Sequence, residues 1–249
     1  MLLYPLPELR VGRSKQYSAL MATLNEAFND ADQRPIVIFQ TDGDQLGLLR
    51  DSPLWADAEP VPTPATAADK KALEEMRKRM EALRVDFSLD DLCRAAERAR
   101  ATIYTVVPGH QMQGHSTDEQ IAIMKRYLDD GSAWFRRFGW HGRKSPQPAG
   151  MRTDEDLKRS AESIAKTQAA LATVSTSTGG WTMFLEKPED ADRIYSSILS
   201  DINRRYIVGY YPTNKEHDGK RRKIDVTIRD HPEYSVVGRR WYYSPAPNQ

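Results

Sequence analysis

The side chains best placed to bind or react are Thr41-Asp42-Gly43-Asp44, directly after the apolar run Ile36-Val37-Ile38-Phe39. A buried strand ending there sets the carboxylates of Asp42 and Asp44 at the carboxyl edge of a sheet, where open α/β folds bind ligands. The same four residues also compose a plain strand-to-helix turn, so both readings stand. A second group is His110, His115 and His141, with Asp118 among them. The spacing of His110 and His115 is too wide for the i,i+4 pair of a helical zinc motif, and no cysteine joins them. A polar loop with solvated imidazoles is the simpler account. The neighbourhood of Asp42, His110 and His115 is nevertheless the one from which a metal-dependent hydrolase would be built.

Cys93 is the single cysteine, so no internal disulfide framework exists. It sits in a helical pattern, Leu89-x-x-Leu92-Cys93-x-x-Ala96, which reads as a small buried hydrophobe rather than a nucleophile. The basic stripe Lys220-Arg221-Arg222-Lys223, with Arg229, Arg239 and Arg240, has the composition of an anion-binding patch. Alternation from Lys223 to Arg229 would instead bury Ile224, Val226 and Ile228 and leave the charges on a solvated strand face that blunts a sheet edge. Glycine-rich phosphate loops, nucleophile elbows and paired catalytic carboxylates are missing from the sequence.

These residues must be positioned by alternating strands and helices. The apolar stripe Leu20, Met21, Leu24, Ala27, Phe28 predicts a helix over Tyr17 to Phe28. Strands are expected at Pro35 to Gln40, Ala101 to Val107 and Trp181 to Leu185. Pro53, Pro60, Pro62 and Pro64 make Leu49 to Ala68 a loop. A charged helix follows over Asp69 to Leu83. Ser88 caps a helix reaching about Arg100, with acids in its first turn. Further helices are expected at Asp118 to Asp129, Asp154 to Thr173 and Pro188 to Ile202. Trp134 to Trp140 is an aromatic, basic patch, and Gly142 to Gly150 reads as a loop. Three strands close the chain: Arg205 to Tyr211, Lys223 to Arg229 and Tyr234 to Tyr242. Strand alternating with helix is the pattern of parallel βαβ units.

Charged residues make up 29% and hydrophobic residues 39%, enough for a core under a very polar surface. A net charge of +1 gives no general pull toward nucleic acid or membranes. No apolar run approaches the ~20 residues of a membrane span. Met1 to Arg10 is too short and proline-rich for a secretory signal.

The order of Thr41-Asp42-Gly43, Thr178-Gly179-Gly180, Tyr206-Ile-Val-Gly-Tyr-Tyr-Pro-Thr-Asn214, Asp218-Gly-Lys220 and Trp241-Tyr-Tyr-Ser-Pro245 resembles the von Willebrand factor type A (VWA) domain, and within it the bacterial "VWFA-related" proteins. The resemblance covers roughly residues 12–45, 85–107 and 157–245. It implies an α/β fold: an incomplete doubly wound, Rossmann-like parallel sheet with flanking helices and a C-terminal antiparallel β tail. Residues 1–203 would form the partial domain, with insertions at 46–84 and 108–156, and 204–249 a β-rich extension packed on it. Such domains hold Mg²⁺ or Mn²⁺ through hydroxyls and carboxylates. Asp42 matches the family's last acidic ligand. Gly12-Arg-Ser-Lys-Gln-Tyr-Ser-Ala-Leu20 is similar to its GGT-x-x-Y-D-A-L, which puts Ser14 at the threonine position. The family's Asp-x-Ser-x-Ser loop has no counterpart here.

The resemblance therefore implies a protein-binding, non-enzymatic module with a degenerate metal site at Ser14 and Asp42, no cofactor held by this chain alone, and Asp44 at the ligand edge. The partner is another protein rather than nucleic acid. Family relatives are typically exported, and the sequence assigns this chain no compartment. With the family's first strand absent, Ile36 to Phe39 is expected to be an open, apolar edge through which the protein self-associates.

Overall fold

The structure, a computed structural model, describes residues 15–26, 34–52, 70–71, 74–75, 78, 81–126, 153–231 and 233–246, with Asp44 by its backbone. Ser14, Ala27, Phe28, Trp134 to Trp140, His141, Gly142 to Gly150 and most of the proline-rich loop lie outside them. Three strands, β1 (Ile36–Gln40), β2 (Thr102–Pro108) and β3 (Thr182–Leu185), form a parallel sheet in the order β1-β2-β3. Sequential parallel neighbours are what the alternating pattern predicts. The helices described without interruption are α1 (Gln16–Glu26), α2 (Leu89–Arg98), α3 (117–126), α4 (Asp154–Ser177) and α5 (Ala191–Asn203). A 3-10 turn with Pro188 at its start leads into α5. Helices α2 and α4 begin with a reciprocal capping box, Ser88 with Asp91 and Thr153 with Asp156.

Alternation along β2 divides the core. Ile103 and Val107 pack with Leu20 and Leu24 of α1, Leu92 and Ala96 of α2, and Leu171 and Val174 of α4. Tyr104 and Val106 face the other way, onto Ile194 and Ile198 of α5. Helices therefore flank both faces of the sheet. Leu46 and Leu49, placed by sequence in an insertion, are fully buried in the first cluster. Cys93 is buried there too, and burial pushes its thiol up to about 11, as befits a packing residue. A third cluster, Met112, Ile123, Met124, Leu157 and Ala161, ties α3 to the start of α4. Among the described residues no helix is long and apolar enough to cross a membrane.

The Thr-Gly-Gly motif seals one end of the sheet. Thr178 Oγ1 accepts the Ile103 N–H at 2.9 Å. A Cβ on Gly180 would lie 1.9 Å from the Ile103 carbonyl oxygen, and one on Gly179, at φ +79°, would lie 3.0 Å from Gly238 Cα. The turn is thus wedged between β2 and the C-terminal tail.

The tail differs from expectation. Its regular part is a two-stranded antiparallel ribbon, β4 (Arg221–Lys223) with β5 (Trp241–Tyr243). The strands read at Lys223 to Arg229 and Tyr234 to Tyr242 shrink to these ends, and Val226 and Ile228 are exposed rather than buried. Residues 205–211 form no strand, and beyond Arg205 they do not pack on α5. Tyr206 is 93% exposed, Ile207 85% and Tyr211 99%. Gly209 marks no close approach; a Cβ there would meet open space. Their alternation is that of a strand, but strand propensity needs a strand to pair with, and among the described residues none pairs with this segment; Tyr210 meets the Tyr242 ring edge-on at 5.9 Å.

The ribbon packs instead on α2. The fully buried Glu97 carboxylate accepts from Arg221 Nε at 2.8 Å and Nη2 at 2.6 Å. Arg239 donates to the carbonyls of Glu97 and Ala101 at 3.2 and 2.8 Å. Burial, then the nearby Arg34 and Arg100, hold the Arg239 guanidinium down to about 10. Asp218 closes the base of the ribbon, accepting from Ser244 Oγ at 2.6 Å and from the Lys220 N–H at 3.0 Å. These bonds give the Asp-Gly-Lys and Tyr-Tyr-Ser-Pro motifs a structural reason.

Where α5 ends, Asp201 Oδ2 accepts from Tyr104 Oη at 2.6 Å, Arg205 Nη2 at 2.7 Å and Trp181 Nε1 at 3.2 Å. Burial opposes its charge, but the bonds from Tyr104, Arg205 and Trp181 prevail and hold the carboxyl below its ordinary value. A carboxylate lowered in the folded state stabilises above the unfolded pKa of ~3.9 and loses that contribution as pH falls through the folded value. Asp201→Asn is therefore expected to melt below the wild type at pH 7. In thermal melts from pH 7 to pH 3 the gap should close below about pH 4. A gap independent of pH would remove the ionised carboxylate from the account.

Candidate functional site

All three strands point their carboxyl ends the same way, and each is followed by an ionisable residue: Asp42 after β1, His110 after β2, Glu186 after β3. A cavity of about 300 Å³ opens at this edge. Asp42 and Gly43 line it from the β1 loop, Val107 to His110 and Met112 from the β2 loop, Met124 from α3, and Ser163, Ile164, Thr167 and Gln168 from α4. Its wall is mixed, with methionine, valine and isoleucine against a carboxylate, an imidazole and hydroxyls.

The loop after β1 is pinned by α1. Gln16 Nε2 donates to Asp42 Oδ1 at 2.6 Å, and Thr41 Oγ1 donates to Gln16 Oε1 at 2.5 Å. Thr41 Oγ1 also accepts the Gly43 N–H at 2.9 Å, and Gln45 exchanges bonds with the Ser18 backbone and hydroxyl. Gly43 takes φ +76°, and a Cβ there would fall 2.4 Å from Thr167 Cγ2, so glycine allows α4 to close against the loop. The loop after β2 is pinned by α4: the buried Gln168 accepts the Met112 N–H and donates to the His110 carbonyl, both at 2.8 Å. His110 Nδ1 lies 3.1 Å from Glu186 Oε2.

Of the residues singled out by sequence, Asp42 and His110 meet in this cavity. His115 does not line it; its Nδ1 lies 3.6 Å from Glu119 on α3. Asp44 opens the 3-10 turn Asp44–Leu48, and Ser14 falls outside the described residues. A Mg²⁺ site demands about six oxygen donors. The Asp42 carboxylate faces an amide N–H of Gln16, and the Thr41 hydroxyl is engaged with Gln16 and Gly43. Among the described residues no group of three or more His, Cys, Asp or Glu side chains gathers as a metal site.

Sequence reasoning missed Gln16, Ser163, Thr167 and Gln168. Gln168 carried a signal, being a polar residue in register with the buried stripe Ala161, Leu171, Val174 of α4. No family model, curated protein or solved structure matches this chain.

Proposed function

We propose that this protein is a binding module of VWA-like, doubly wound type that recognises a partner protein at the carboxyl edge of its sheet, without catalysis and without a metal ion. The observation that carries this reading is the cavity itself. It opens at the carboxyl edge of the sheet and joins Asp42 to the loop after Val107. At about 300 Å³ it takes a side chain or two of a partner loop, at the lower end of ligand cavities. Its apolar wall buries the stem of such a side chain, while Asp42, His110 and the hydroxyls of Ser163 and Thr167 offer polar contacts. The hydrolase reading needs His115 beside Asp42 and His110, and His115 pairs with Glu119 instead.

Peptide display on the immobilised protein tests the reading. Selected peptides are expected to bind at least about tenfold more weakly to Ser163→Trp, whose indole fills the cavity mouth, and equally well to Gly209→Ala. Peptides that bind both variants alike would remove the cavity from recognition.

A further inference from the structure

A second surface, which adjoins the cavity at Asp42, carries a second binding event. We propose that the protein pairs with a second copy of itself by strand addition, residues 205–211 of one molecule lying antiparallel along the outer edge of β1 in the other. In the parallel ladder, Thr102 N–H bonds to the Pro35 carbonyl and Thr41 N–H to the Val106 carbonyl. That phase turns the odd-numbered residues of β1 toward β2, and the N–H and C=O groups of Ile36, Ile38 and Gln40 toward the outer edge. Among the described residues no strand pairs with this edge. Ile36 and Ile38 are also 43% and 41% exposed, because α5 packs over β2 and β3.

The complementary piece is in the same sequence. Residues 205–211 are rich in Tyr, Ile and Val and carry no ladder hydrogen bonds. They begin beside β3, where Arg205 Nη2 donates to the Gly179 carbonyl at 2.6 Å, across the sheet from β1. A second molecule is therefore the source that can supply the segment lengthwise. One alternate set of its side chains then covers Ile36 and Ile38. Charge selects the direction: antiparallel pairing brings Arg204 toward Asp42, whereas parallel pairing would bring Arg204 and Arg205 against Arg34. Reciprocal exchange closes the pair as a dimer, without the open-ended growth of a one-way contact.

Light scattering on a size-exclusion column, from ~5 to ~200 µM, reads the association. The mass is expected to rise toward twice the monomer. Val208→Pro removes a donor that no strand uses in the monomer, and Ile38→Lys puts a charge on the edge; each should weaken association at least about tenfold. Molecules carrying Ile38→Cys, mixed with molecules carrying Val208→Cys, should form a disulfide-linked pair on oxidation, with Cys93 buried in both. A mass that stays monomeric over the whole range, or an association that Val208→Pro leaves unchanged, would overturn the proposal. Slow amide exchange at Ile36, Ile38 and Gln40 in such a monomer would mean that another part of the same chain covers the edge.

Discussion

Gly180→Ala is expected to abolish folding, or to cost more than about 4 kcal/mol, the range reserved for substitutions that violate the backbone itself. The added methyl would sit 1.9 Å from the Ile103 carbonyl oxygen and 2.7 Å from its carbon, and neither is a flexible side chain that can turn aside. Relief requires moving the start of β2 away from the turn. That movement breaks the Thr178 to Ile103 hydrogen bond and the Thr105 to Trp181 bond that follows it. Ile103, Tyr104 and Thr105 are all fully buried, so the loss spreads into both faces of the core. Gly209→Ala is the control. Its methyl meets nothing within 4 Å, and its effect should stay within about 0.5 kcal/mol. Urea denaturation of the two variants separates these outcomes. A soluble Gly180→Ala protein with a wild-type midpoint would show that the turn does not abut β2.

The second large effect belongs to Glu97. Replacing it by alanine leaves Arg221 and the covered face of the ribbon without their carboxylate. Breaking a buried pair typically costs ~3–5 kcal/mol; because Arg221 keeps some contact with water, about 2–4 kcal/mol is expected here. For a chain of this size that lowers the melting temperature by roughly 5–15 °C. The consequence is also local. Arg221, which stacks over the Trp241 ring at 4.2 Å, loses its anchor on α2, so the ribbon should loosen there and rest on Arg98 over Tyr243 at 5.0 Å and on the Arg239 bonds. Trypsin should then cut within Arg221 to Arg240 well before the sheet is digested. Arg221→Ala should be strongly non-additive with Glu97→Ala, since each removes the same interaction. Additive losses, with the ribbon still resistant to protease, would mean that other contacts hold it.

The sheet was legible because Ile36 to Phe39, Ala101 to Val107 and Trp181 to Leu185 are short apolar runs closed by turn residues. Ser88 announced its helix through the cap it provides. The tail was not legible for a physical reason. The alternation in Arg205 to Tyr211 states that a segment suits a strand, not that an edge is available to receive it. At the site, Asp42 and the loop after Val107 followed from their positions at strand ends. The α4 contribution did not, because which turn of a helix lies over the sheet edge depends on tertiary packing. Ser163 and Thr167 look like ordinary surface residues in the sequence. His115 sits five residues from His110, yet the turn at Gln113 and Gly114 separates the two side chains.

Amide chemical-shift mapping with a display-selected peptide tests the central claim, recognition at the carboxyl edge, most directly. The account predicts that perturbations concentrate at Asp42, Gly43, Gly109, His110, Met112, Thr167 and Gln168, and that Ser163→Trp abolishes them at the same peptide concentration. Perturbations confined to β1 and residues 205–211, or to the ribbon, with the cavity residues unmoved, would contradict it.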